Sequence, residues 1–154
     1  MLSLKVDNEI KLGTYTQENA EEVFNVVMKN YDHLYQWSPW LDKNYSLERA
    51  KDFAKICAKQ FEEKTSIPLC IKFNGEIVGG TGFNNFNWEY KTCEIGYWLA
   101  KDFNGKGIVT KSCWTLLKYA FEKLKLNRVV IKCVPTNERS RKIPEKLGFV
   151  NEGI

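Results

Sequence analysis

The sequence predicts an α/β domain: a mixed, mostly antiparallel sheet flanked by helices, with the element order βααβββαβα. Two observations carry that expectation. Ile67 to Phe73 and Glu76 to Phe83 read as strands joined by Asn74-Gly75, a strong signal for a two-residue hairpin. Further on, a helical apolar stripe from about Ile108 to Leu124 separates a strand ending near Ala100 from another at Arg128 to Val134, which makes the sheet mixed.

Taken in order, Glu9 to Tyr15 alternates well enough for a first strand. Thr16 reads as an N-cap, with Glu18, Glu21 and Glu22 near the positive end of the helix that follows. Ala20, Val23, Phe24 and Val27 recur at helical spacing to about Asn30. Next comes an aromatic stretch, Tyr31 to Leu41, in which Pro39 breaks any helix. Ser46 reads as a second N-cap, and Ala50, Phe53, Ala54, Cys57 and Phe61 form a stripe running to about Lys64. After the hairpin, a third strand spans roughly Trp88 to Ala100, and Asp102 to Gly107 forms a tight loop. The helix beyond it buries Cys113, Leu116, Leu117, Ala120 and Leu124. Arg128 to Val134 reads as a buried strand and Asn137 to Leu147 as a short helix with Gly148 at its C-cap; Phe149 opens another apolar segment.

A chain of 154 residues suits one domain, residues 1–154, and no repeat or linker-like stretch divides it. Twenty-three Lys and Arg against nineteen Asp and Glu leave a net charge of +4, a mild basic bias compatible with an anionic ligand. No run of like charge is long enough for a nucleic-acid arm. Cys57, Cys70, Cys93, Cys113 and Cys133 are scattered and form no CxxC pair, so buried apolar thiols in a reducing compartment are expected, with no metal. The first residues alternate charged and apolar types unlike a signal peptide, and no apolar run would span a bilayer. These features predict a soluble, cytoplasmic protein with no membrane partner.

The chemistry begins at Asp102-Phe103-Asn104-Gly105-Lys106-Gly107-Ile108-Val109-Thr110. Two glycines between a strand and a helix let the backbone approach a ligand closely. The first N–H groups of the helix have no intrahelical partner, and they point outward at its positive end. Together they suit a phosphate group, although such a loop also serves as a plain helix start. The GxxxxGK[ST] pattern is absent, and Thr110 stands where a dinucleotide fingerprint needs its third glycine.

From these marks the chain resembles the GNAT superfamily of acetyltransferases. Within it, the chain is similar to the branch that acetylates the N-termini of ribosomal proteins at serine or alanine. The loop matches the family's [QR]xxGx[GA] pattern with Asp102 in the Gln/Arg place. The resemblance implies that acetyl-CoA is the cosubstrate and that Asn104, Gly105, Lys106, Gly107, Ile108, Val109 and Thr110 contact its diphosphate. The preceding strand, Glu94 to Leu99, is typical of this branch. In the family it splays from its parallel neighbour, so Tyr97, Trp98 and Leu99 are implied to pair with the pantetheine amides. Asn137-Glu138-Arg139-Ser140, followed by Lys146-Leu147-Gly148-Phe149, matches the family's NxxS and KxGF marks. Asn137 is thereby implied to cap a helix and touch pantetheine, and Ser140 to face the thioester sulfur. Pro144 stands where many relatives carry a tyrosine acid, which leaves Ser140 as the better proton donor. Proline lacks the N–H that would bond the Ser140 carbonyl, so a kink with that carbonyl free is expected.

An amine attacks a thioester only when neutral. With a reference pKa of about 7.7–8.0, roughly a tenth of an N-terminal amine is neutral at pH 7; a lysine side chain is neutral in well under one part in a thousand. A general base helps both. Glu94 is the candidate, since several GNAT enzymes use a glutamate in this strand, although a solvent-facing strand glutamate is the plainer alternative. His33, the single histidine, reads as structural or exposed, and Tyr31, Tyr35, Trp37, Trp40 and Trp88 are candidates to wall an acceptor site. Relatives continue past this chain's last residue into a hairpin that completes the sheet. A shortened chain or a homodimer covering the open edge is therefore expected. Three readings other than a protein N-terminal acetyltransferase stand beside it: an acetyltransferase for a small amine, a non-catalytic acyl-CoA-binding module, and an RNA-binding domain, the last resting only on mild basicity and aromatics.

Overall fold

The computed structural model describes residues 1–154. Six strands form one sheet in chain order: β1 Ser3–Lys5, β2 Ile10–Thr14, β3 Ile67–Phe73, β4 Glu76–Asn87, β5 Thr92–Leu99 and β6 Arg128–Ile131. Every neighbouring pair is antiparallel except β5–β6, which is parallel and is joined through a helical crossover. The helices are α1 Ala20–Lys29, α2 Tyr31–Tyr35, α3 Leu47–Glu63, α4 Ile108–Glu122 and α5 Glu138–Lys146. The expected α/β architecture with a mixed sheet is the one found.

Side chains alternate across a strand, so adjacent residues feed opposite faces of the sheet. Cys70 and Ile77 join Tyr15, Val23, Val27, Leu34, Ala54 and Cys57 in a core under α1 and α3. Their chain neighbours Leu69, Ile71 and Val78 turn the other way and pack with Ile95, Cys113, Leu116 and Ala120 beneath α4. Local chemistry sets the boundaries. Asn74 (φ 50°) and Gly75 (φ 86°) adopt the left-handed pair that a two-residue hairpin requires. Ser46 Oγ accepts from the Arg49 N–H at 3.2 Å and starts α3, which ends at Lys64 in the left-handed region.

Several elements differ from expectation. The strand β1 is three residues long, too short to show a period, and it is folded back by Asp7, whose Oδ1 accepts from the Glu9 and Ile10 N–H groups, both at 2.8 Å. Helix α1 starts at Ala20 rather than straight after Thr16. The Thr16 N–H donates to Asn19 Oδ1, the Asn19 N–H donates to Thr16 Oγ1, and this reciprocal turn puts Asn19 at the cap position. A short α2 forms before Pro39, and β5 starts at Thr92 because Trp88 to Lys91 turns the chain. The strand β6 is a half-exposed edge rather than a buried strand, since only β5 pairs with it. Residues 149–154 form no strand, although Phe149 packs against the α4-side core. Four cysteines are buried as expected, but Cys133 is half-exposed. Burial pushes the thiols of Cys57, Cys93 and Cys113 up to about 12, so they stay protonated and unreactive at neutral pH.

Two glycines of β4 make room for close neighbours, Gly80 for side chains on the α1–α3 face and Gly82 for the main chain of β3. A Cβ on Gly80 would collide with the Trp98 indole nitrogen and the Tyr15 hydroxyl, which meet over it. A Cβ on Gly82 (φ 140°) would strike the Ile67 carbonyl and the Pro68 backbone. Gly80→Ala should therefore cost about 1–3 kcal/mol in denaturant unfolding. Gly82→Ala should cost more, because main chain rather than rings must move. An unfolding midpoint unchanged by both substitutions would contradict this packing.

Candidate active site

Parallel pairing between β5 and β6 runs from Thr92↔Arg128 to Ile95↔Ile131 and stops. On its other edge β5 stays paired with β4 as far as Leu99↔Gly79. Gly96 to Leu99 therefore have a strand on one side only, and their second edge opens toward residues 132–136 and the start of α5. This one-sided stretch holds Tyr97, Trp98 and Leu99, the strand residues singled out from the sequence.

At the C-terminal end of β5, a 3₁₀ turn at Lys101–Phe103 leads into the glycine loop. Gly105 (φ 83°) and Gly107 (φ 74°) are both left-handed, and an added Cβ at either would point into open space, so the demand for glycine is conformational. The first satisfied amide of α4 belongs to Lys111, which donates to the Gly107 carbonyl at 3.0 Å. No main-chain N–H from Gly105 to Thr110 donates to another backbone group, leaving a run of unpaired donors at the positive end of the helix. The side chains around it are already engaged. Ile108 and Val109 are buried in the core, the Asn104 side-chain amide donates to the Lys101 carbonyl at 3.0 Å, and the Lys106 ammonium sits 5.4 Å from the Phe103 ring centroid. An anion here would be held by backbone.

The helix α5 closes the gap from the other side. Asn137 Oδ1 accepts from the Ser140 N–H at 3.2 Å and caps the helix, as its position in the sequence predicts. Pro144 lies inside α5 and offers Ser140 no N–H. The Ser140 carbonyl is nevertheless not free, contrary to expectation: the Tyr97 hydroxyl donates to it at 2.7 Å. Ser140 Oγ in turn donates to the Tyr97 oxygen at 3.3 Å. Burial pushes the Tyr97 phenol well above its ordinary range, outweighing the bond to Ser140, and keeps it protonated.

Glu94, Gly96 and Trp98 alternate onto the opposite face from Tyr97, toward α1 and α3. Glu94 Oε1 accepts from Lys132 Nζ at 2.7 Å across the last paired rungs; Glu94 is 27% exposed and Lys132 73%. Among the aromatics expected to wall an acceptor site, Trp40 stands here, its ring centroid 6.0 Å from Trp98 and 6.1 Å from Tyr45. Tyr31 and Tyr35 stack on each other, while Trp88 stacks on Phe86 and donates its indole N–H to the Lys64 carbonyl. The Trp98 ring and Tyr45 complete the cluster and went unnoticed in the sequence, although the alternation of β5 already put the Trp98 side chain on the Glu94 face. His33 lies beside Leu99, Lys101 and Arg139; partial burial, reinforced by the two cations, lowers its pKa.

A model of the acetyltransferase (GNAT) domain matches residues 9–150. YdaF of Bacillus subtilis (strain 168), which carries a provisional ribosomal N-acetyltransferase name, is 32% identical over 154 residues, covering 99% of this chain and 84% of its own. Among solved structures, the microcin C7 self-immunity acetyltransferase MccE, in complex with acetyl-CoA and AMP, has a TM-score of 0.93 at 29% identity, covering 97% of this chain and 83% of that one. An acetyltransferase from Salmonella typhimurium described as modifying the N-terminal serine of ribosomal protein L7/L12 has a TM-score of 0.89 at 25% identity, covering 99% and 87%.

Proposed function

We propose, on the premise that the chain belongs to the acetyltransferase (GNAT) domain family, that it moves an acetyl group from acetyl-CoA to the N-terminal amine of a protein. The observation that carries the cosubstrate is the run of unpaired amides from Gly105 to Thr110 at the mouth of the half-paired stretch of β5. A diphosphate suits those donors, and the free edge of Tyr97, Trp98 and Leu99 suits the amides of a pantetheine arm. MccE, similar along nearly the whole chain, is in complex with acetyl-CoA. A protein acceptor is supported by the ribosomal N-acetyltransferase name of YdaF and by the Salmonella protein's described action on an N-terminal serine.

In this reading the acceptor amine approaches from the face of Glu94 and Trp98, and Glu94 takes its proton, directly or through water. The neutral amine nitrogen then bonds to the acetyl carbonyl carbon and the carbon–sulfur bond breaks; the nitrogen's excess proton leaves to water, and Ser140 supplies a proton to the departing thiolate and regains one from water. Asn137 fixes the turn that presents Ser140. A small-molecule amine is the second reading, because MccE holds AMP beside acetyl-CoA and the Trp40, Tyr45 and Trp98 rings could stack on a flat ligand.

Incubation with acetyl-CoA and a panel of N-terminal peptides and small amines, followed by free-thiol release, separates these readings. Release with peptides alone is the expected result, release with small amines alone favours the second, and tight cofactor binding with no transfer to anything rules out catalysis. Gly107→Val should weaken coenzyme A binding by roughly fivefold to thirtyfold in calorimetric titration, the equivalent of about 1–2 kcal/mol for a side chain forced into the left-handed region. Unaltered affinity would remove the loop from the cofactor site. Glu94→Gln should reduce kcat by about 10²–10⁴. Lys132→Ala tells a base from a strand-pair residue: if Glu94 serves only the ion pair, both substitutions should give the same small loss.

A further inference from the structure

In a regular α-helix the Ser140 carbonyl would accept the N–H of residue 144, and Pro144 has none to give. A carbonyl withdrawn from water and left without a donor is destabilising. The missing donor comes from the sheet, since the Tyr97 hydroxyl reaches across from β5 and donates to that carbonyl at 2.7 Å. The same oxygen accepts from Ser140 Oγ at 3.3 Å, while Asn137 Oδ1 holds the Ser140 N–H at 3.2 Å. Each polar group of Ser140 is thus bonded, two of the three to a single phenol on the free edge of the cofactor gap.

We propose that Tyr97 is a positioning residue for Ser140: its hydroxyl replaces the backbone donor that Pro144 withholds and thereby holds the serine hydroxyl at the thioester end of the gap. This rests on the reading of Ser140 as the proton donor. Because the phenol stays protonated in its buried setting, it continues to donate to the carbonyl when the serine O–H turns away from it toward the leaving sulfur. A tyrosinate would lose that bond and present a negative charge to the thiolate being formed. Tyr97 therefore gives up no proton of its own.

Kinetics of five variants test this: Ser140→Ala, Tyr97→Phe, Pro144→Ala and the two double variants of Tyr97→Phe with each of the others. Tyr97→Phe should lower kcat on the order of tenfold to a hundredfold with little change in KM for acetyl-CoA, because it displaces the serine and leaves the β5 backbone in place. In the Ser140→Ala background the same change should cost nothing further. Adding Pro144→Ala to Tyr97→Phe should return part of kcat, since alanine brings back the N–H for the Ser140 carbonyl. A full kcat in Tyr97→Phe, or an equal fold-loss with and without Ser140, overturns the proposal. Full activity in Ser140→Ala alone has a different signature: it sinks the proton-donor reading, and the proposal with it. If Tyr97→Phe does not fold by itself, Tyr97→Phe/Pro144→Ala is compared with Pro144→Ala: a small loss is expected, because the alanine supplies the carbonyl's donor, and a loss of tens-fold or more in that pair is the overturning result.

Discussion

The site depends on one limit in the hydrogen bonding of the sheet, the end of β5–β6 pairing at Ile95 and Ile131. Had the two strands remained paired to Leu99, the main-chain groups of Gly96 to Leu99 would be spent on the sheet. Had β5 also left β4, nothing would fix those groups in space. Because β4 holds β5 to Leu99↔Gly79 while β6 lets go, a rigid strand presents an unused edge. The glycine loop follows that strand after one 3₁₀ turn whose amides are mostly paired, so the free strand edge and the free loop amides are two separate sets of backbone partners at the same end of β5.

Two bridges cross the opening, and they serve opposite faces. On the α1–α3 face, Lys132 reaches back from just beyond β6 to Glu94. On the α4–α5 face, the Tyr97 hydroxyl ties β5 to the first turn of α5. Strand alternation alone assigns Glu94 to one side and Tyr97 to the other. The proposed base and the proposed proton donor thus stand on opposite faces of the gap.

What could be read from the sequence was whatever short-range chemistry decides. Asn74-Gly75, Ser46, Asn137 and the glycines of the loop each impose a backbone conformation on their immediate neighbours, and each stands where its pattern predicts. The misplaced features depend on partners distant in the chain. Exposure of β6 follows from which strands flank it, the Glu94–Lys132 pair spans 38 residues and the Tyr97–Ser140 pair 43. The sequence suggested that Pro144 would leave a carbonyl wanting a donor, but not that a tyrosine on another element would supply it. The strand β1 and the Thr16–Asn19 turn lie between these cases: their signals, Asp7 and a threonine–asparagine pair, are local, but too brief for any hydrophobic period to mark them.

The division between backbone and side chain also bears on how such a site can diverge. The proposed cofactor site at residues 105–110 needs left-handed backbone at two glycines and a helix start, with Ile108 and Val109 anchoring it from below. No side chain of the loop is indispensable to that geometry, so Asp102 in place of the family's Gln or Arg leaves the donor row intact. The proposed acceptor side is built the other way, from the side chains of Glu94, Trp40, Tyr45 and Trp98. Substitutions at Glu94, Trp40 or Tyr45 alter shape and charge there without disturbing the glycine floor, whereas the Trp98 indole rests with the Tyr15 hydroxyl over Gly80 and is part of it. The acceptor can therefore change between relatives while the acyl donor stays the same, so the acceptor must be sought in these side chains and not in the fold.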